Sequence, residues 1–255
     1  MRIGYIIPGR TWMYTHRVPR TPEPSVRHSV LNQWDLLAPL GIHGPPDASE
    51  FPVEIAPDPA SVAHAAERLA AIGAGEHDAV IVVHVSASNP FKRWPAGSFV
   101  DAIARLLDGH SNRYAIVVSG PSEPAAAEDV VRAVRFRLGD GGSRITSAQL
   151  DLDQLRALVS RAAVYIGGDS GPLHVAATTE TPIVEILGPT MGSRSSPWRS
   201  PRFFAELIDA GPLPCRPCDE RTCVPGDFRC LTQISPDRVA AAAERALAIA
   251  EHGAR

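Results

Sequence analysis

A doubly wound, Rossmann-like α/β fold on a parallel sheet is what this sequence predicts, and three observations carry it. Four short runs rich in β-branched residues, "AVIVVHV" (79–85), "YAIVVSG" (114–120), "AAVYIGG" (162–168) and "PIVEILG" (182–188), are continuously apolar. That is the pattern of strands covered on both faces. Amphipathic segments lie between the runs, so strands and helices alternate. Each run ends in polar residues, at the carboxyl ends of strands where such sheets place ligands.

The bulk properties set limits. The chain has 255 residues, 44% hydrophobic and 21% charged, enough for one large domain or one domain and part of another. Its net charge of −3 gives no basic footprint for nucleic acid. No apolar run reaches the roughly 18 residues of a membrane helix. The N-terminal "MRIGYIIPGRTW" is too short in its apolar part for a secretory signal, so the cytoplasm is the default location. Of 25 basic residues only Lys92 is a lysine.

Taken in order, residues 1–78 read as a linker with a remnant of something larger. Prolines interrupt 8–60, where "HSVLNQWDLLAPLG" is one plausible helix, and "ASVAHAAERLAAIGAG" (60–75) is a second. Residues 79–255 read as the ligand-binding domain. After the first run, "SASNPFKRWP" precedes a helix beginning near Pro95. Lys92 there is either a solvated surface residue or a compact point charge for a phosphate. After the second run, Glu123 reads locally as an acid favoured by a helix N-terminus. Asp151 is placed to cap "LDQLRALVSRA", and Ser235-Pro236 to open the final helix.

The third run ends in "GGDSGPLHVAA". Asp169 or Ser170 suffices to cap a helix starting near Pro172, which leaves Gly167, Gly168 and Gly171 unexplained. Glycines there would let a ligand approach backbone amides, with His174 on the first helical turn reaching the same spot. Further on, Cys215, Cys218, Cys223 and Cys230 fall at C-x2-C-x4-C-x6-C. This spacing is compatible with a structural four-thiolate zinc site, the alternative being free thiols. A reducing compartment disfavours disulfides.

At "KRWP", at Glu123 in "SGPSEP", and at "DSGPLHVAA" followed by a strand and "GPT", the chain resembles the family 9 glycosyltransferases, the bacterial heptosyltransferase group. The resemblance implies the C-terminal half of a GT-B fold with an incomplete N-terminal region. It implies a nucleotide-sugar donor, typically ADP-heptose, and inverting transfer to a glycan or lipopolysaccharide-type acceptor, with no metal or other cofactor required for catalysis. Ser88 and Lys92 would contact phosphate or sugar, Glu123 the ribose, and Asp169 the sugar hydroxyls. Ser170 and Gly171 would face the diphosphate, with His174 completing the pocket. Cysteine-rich loops occur in some relatives without a catalytic role. The family's catalytic aspartate belongs to its N-terminal acceptor domain, and neither Asp35 nor Asp47 is marked as its counterpart. The rival expectations are a non-catalytic nucleotide-sugar-binding module and a partner subunit completed by a separate N-terminal domain chain.

Overall fold

The computed structural model describes residues 1–21, 27–121, 123–218 and 222–253. The N-terminal segment holds two three-residue parallel strands, β1 (Ile3–Tyr5) and β2 (His16–Val18). Helix α1 (Ser29–Trp34) continues into a 3₁₀ turn over Asp35–Leu40. The expected single helix is thus split, since Pro39 removes a donor and Gly41 ends the run at φ 82°. Helix α2 (Pro59–Ala71) follows, with Asp58 capping the Ser61 amide at 2.8 Å.

Strand β3 (Ala79–His84), α3 (Ala96–Leu107), β4 (Arg113–Val118), α4 (Pro124–Leu138), β5 (Ile145–Ala148) and α5 (Leu152–Val159) complete the first half of a wound sheet. The second half is β6 (Val164–Gly168), α6 (Gly171–Ala176), β7 (Ile183–Leu187), α7 (Gly192–Ser195) and β8 (Ala205–Asp209). Helices α8 (Arg229–Thr232) and α9 (Pro236–Gly253) close the chain. The six strands run parallel in the order β5-β4-β3-β6-β7-β8. The four sequence-predicted strands are all present within two residues of their expected ends. At α5 the Asp151 cap is a full capping box with Gln154.

Alternation within each strand supplies two cores. Ile81, Val83, Val117, Ile166 and Ile186 face α3, α4 and α9. Val80, Val82, Ile116, Tyr165 and Ile183 face the opposite layer, where Leu69 of α2 and Leu158 of α5 pack. Helix α2 is therefore part of this layer, although it precedes residue 79. The chain direction across the sheet reverses between β3 and β6, which opens a crevice beyond their carboxyl ends. Among the described residues no helix is long and apolar enough to cross a membrane.

Candidate functional site

The crevice is occupied by the loops that follow β3, β6 and β7. Trp94 is buried with its indole N–H donating to the Ile234 carbonyl at 3.0 Å, and its ring meets Phe99 edge-on at 4.9 Å. Arg93 Nε donates to the Ala87 carbonyl at 2.7 Å. These anchors fix the turn Pro90–Lys92 and leave the lysine side chain to cross the crevice. Lys92 Nζ donates to Asp169 Oδ2 at 2.7 Å, and Asp169 is almost fully buried at the end of β6. His174 Nε2 lies 4.0 Å from the other carboxylate oxygen. Burial lowers the His174 pKa below the ordinary histidine value, with His28 and Lys92 adding to the lowering and Asp169 opposing it.

Three glycines of this stretch do different things. A Cβ on Gly167 would stand 2.8 Å from the Tyr165 hydroxyl and 3.0 Å from its ring, so this glycine makes room for a core tyrosine. A Cβ on Gly168 would meet the Lys92 carbonyl at 3.2 Å, so this one admits the lysine turn. Only at Gly171 does the missing side chain face open space. Sequence reasoning assigned all three to ligand approach, but the space beside Gly167 and Gly168 is taken by Tyr165 and by the Lys92 carbonyl, and only that beside Gly171 is open. Ser170 stands at the N-cap of α6 but makes no side-chain cap, its hydroxyl donating to the Gly168 carbonyl at 3.2 Å.

Beside this cluster lies a cavity of about 580 Å³. Lys92, Asp169, Asn89 and Phe91 form one wall, and Thr190, Arg194 and Ser195 form another. Ser29 of α1 and the cysteine-bearing loop complete it. Phe91 stacks on Phe228 across the cavity, with centroids 5.5 Å apart. Arg216 pins the cysteine loop to the sheet through Asp209 at 2.5 Å and the Thr190 carbonyl at 2.9 Å. A second cavity of about 380 Å³, bounded by Tyr5, Arg20 and α1, shares Ser29 and Arg194 with the first.

The other expected residues are placed less centrally. Glu123 starts α4 without capping it and is ion-paired with Arg93. Ser88 is exposed, while Ser86 is buried and accepts from the Gly120 amide at 2.6 Å. Asp35 is paired with Arg27 at 3.0 Å, and Asp47 caps the Ser49 amide at the surface. All four cysteines line the large cavity, and burial, with the neighbouring thiols, raises the Cys230 pKa. Among the described residues, however, no three His, Cys, Asp or Glu side chains converge as a metal ligand set.

Some neighbours were not foreseen from sequence. His28 accepts from the Val30 amide at 3.2 Å, and its Nε2 meets the Ser196 carbonyl at 2.9 Å, bringing the N-terminal segment against the loop after β7. Glu185, read as one residue of an apolar strand, is buried with a raised pKa of about 8, chiefly from burial.

The sheet order and the charged cluster at its switch point define a doubly wound α/β protein whose site lies where such folds hold their ligands, consistent with part of a GT-B fold. The chain belongs to glycosyltransferase family 9, the heptosyltransferase family, whose model matches residues 1–227. It is 25% identical over 150 residues to lipooligosaccharide heptosyltransferase 2 of Campylobacter jejuni, covering 58% of this chain and 44% of that protein. It is 27% identical over 188 residues to lipopolysaccharide heptosyltransferase 3 of Escherichia coli, covering 72% and 50%. The chain thus spans about half the length of these relatives. Among solved structures, a family 9 glycosyltransferase from Veillonella parvula superposes with a TM-score of 0.71 at 21% identity, covering 94% of this chain and 65% of that one. An E. coli heptosyltransferase solved with ADP superposes at 0.57 and 16% identity, covering 92% and 61%.

Proposed function

We propose that the large cavity binds a nucleotide-sugar donor, ADP-heptose or a similar compound, in the cytoplasm, for inverting transfer to a glycan or lipopolysaccharide-type acceptor. The observation that carries this reading is the Lys92–Asp169 pair at the sheet's switch point. An ammonium held by a single buried carboxylate is ready to exchange it for a diphosphate, leaving Asp169 for sugar hydroxyls. Ser170 and Gly171 would offer a hydroxyl and an amide to the diphosphate, with His174 beside them. Glu123 would accept from ribose once Arg93 releases it. In the transfer an acceptor hydroxyl attacks the anomeric carbon, the bond to the diphosphate oxygen breaks, and the nucleoside diphosphate leaves. Lys92 would neutralise charge on that leaving group, and no metal is required for this.

Residues 79–255, with α2 packed beneath them, are on this reading the donor-binding domain, and the earlier residues are a linker and part of an acceptor domain. Among the described residues Asp169 is the only carboxylate lining the cavity, and it is engaged with Lys92. That favours a second reading for the chain as it stands: it binds donor, and transfer needs a separate chain that supplies the base and acceptor wall.

Calorimetry with ADP, ADP-sugars and UDP-sugars tests the proposal. Lys92→Ala should weaken binding by about 1–3 kcal/mol, the range of a charge-assisted hydrogen bond. Failure of every nucleotide to bind would overturn it. Rapid transfer by the chain alone would overturn the second reading.

A further inference from the structure

We propose that the smaller cavity is the part of the acceptor site that this chain itself supplies, and that it takes a sugar carrying a carboxylate or a phosphate. The inference deepens the reading of the large cavity as the donor site and rests on it.

Tyr5 ends β1, and Val18, its partner across the pair, ends β2. Ile7 and Arg20 each stand two residues further on, just past the carboxyl ends of two parallel strands, and both line the cavity. The facing residue, Arg194 of α7, follows the carboxyl end of β7. Two parallel sheets thus turn toward one space the ends at which such sheets hold ligands. Thr11 fixes the loop after β1, its hydroxyl accepting from the Ile7 amide at 3.0 Å and donating to the Ile7 carbonyl at 2.7 Å. The His28 contact with the Ser196 carbonyl holds α1 against the end of α7.

A volume of about 380 Å³ lies within the roughly 300–1,000 Å³ of small-molecule sites. Among the described residues two arginines line this cavity and no carboxylate does. Asp35 is paired with Arg27 at 3.0 Å, and neither belongs to the lining. Burial raises the Tyr5 pKa, Asp35 adds to this, and Arg27 and Arg20 oppose it, so these three charges stand around the same wall. With Asp35 and Arg27 offsetting each other, Arg20 is the cation left on that side. A guanidinium stays charged at working pH, and its fork fits a carboxylate or a phosphate. Asn32 and Gln33 add side-chain amides, which can both donate to and accept from sugar hydroxyls.

The two cavities share Ser29 and Arg194. An acceptor hydroxyl must come within about 3–3.5 Å of the anomeric carbon, so an acceptor cavity has to adjoin the donor cavity. This one does.

The test is ligand-observed NMR of glucose, glucuronate and glucose 6-phosphate on protein saturated with ADP, which denies the sugars the donor cavity. Both anions should bind more tightly than glucose, and the tighter of the two identifies the charged group of the acceptor. Arg20→Gln should cut that preference about five-fold, the scale of an exposed ion pair. Gln33→Glu, which sets a negative charge in the same lining, should cut it too. Arg17→Gln, exposed on β2 and outside the lining, should leave it unchanged. No preference for the anions, or one indifferent to both lining variants, overturns the proposal. So does displacement of ADP by the sugars, which would put them in the donor cavity. If ADP itself does not bind, the donor reading is refuted, and the acceptor role falls with it. An Arg20-dependent preference measured without ADP would even then support the anionic-sugar site.

Discussion

The wound sheet and the segment before α2 are built to different standards. In the sheet, Ile81, Val82, Ile116 and Ile166 lie between two helical layers and are essentially inaccessible. Before residue 54, strands β1 and β2 have three residues each, and Ile6, Trp12, Ile42 and Phe51 are all exposed. A two-stranded pair is marginal in water without a hydrophobic face to cover it. Among the described residues, the contacts that join this segment to the rest include His28 on Ser196 and Trp198, and Trp198 Nε1 donating to the Phe51 carbonyl at 2.9 Å. The contrast teaches that the candidate site depends on the sheet for its geometry, while the described residues before 54 leave several large apolar side chains exposed.

Substitutions can break this contrast. Ile166→Ala, within the main core, should cost about 2–5 kcal/mol of unfolding free energy by chemical denaturation. A smaller loss is expected from acid. Burial lowers the His84 pKa from 6.5 to about 4, so its contribution is present above pH 6.5 and lost as pH falls toward 4. The decline should approach roughly 3 kcal/mol and be absent in His84→Gln. Gly167→Ala should cost about 1–3 kcal/mol by pressing on Tyr165, and Tyr165→Phe should recover part of that loss. Trp12→Ala, on the exposed segment, should stay within about 0.5 kcal/mol. A large loss at Trp12 would mean the N-terminal segment has a core of its own.

How much was legible follows the same division. The interior strands are apolar on both faces, and their runs stand out in the sequence. Strands β5 ("ITSA") and β8 ("AELID") were not foreseen, because an edge strand pairs on one side only and tolerates Ser, Thr, Glu and Asp. Lys92, Asp169 and His174 were legible as strand-end chemistry, and the fold brings them together. Glu185 was hidden inside a strand whose apolar neighbours set the pattern. Ser29 and His28 were invisible because only tertiary packing carries α1 to the loop after β7. Gly167 was seen, but its true neighbour, the tyrosine two residues earlier on the same face, was not.

The central claim is that the cavity beside Lys92 and Asp169 is the nucleotide site. All four cysteines line that cavity, so their alkylation rates report directly on what fills it. Saturating ADP should slow modification of these thiols several-fold, read at each cysteine by mass spectrometry, and Lys92→Ala should shift the protection to higher ADP concentration. Unchanged alkylation rates at an ADP concentration that calorimetry shows to be saturating would place the nucleotide elsewhere and contradict the account.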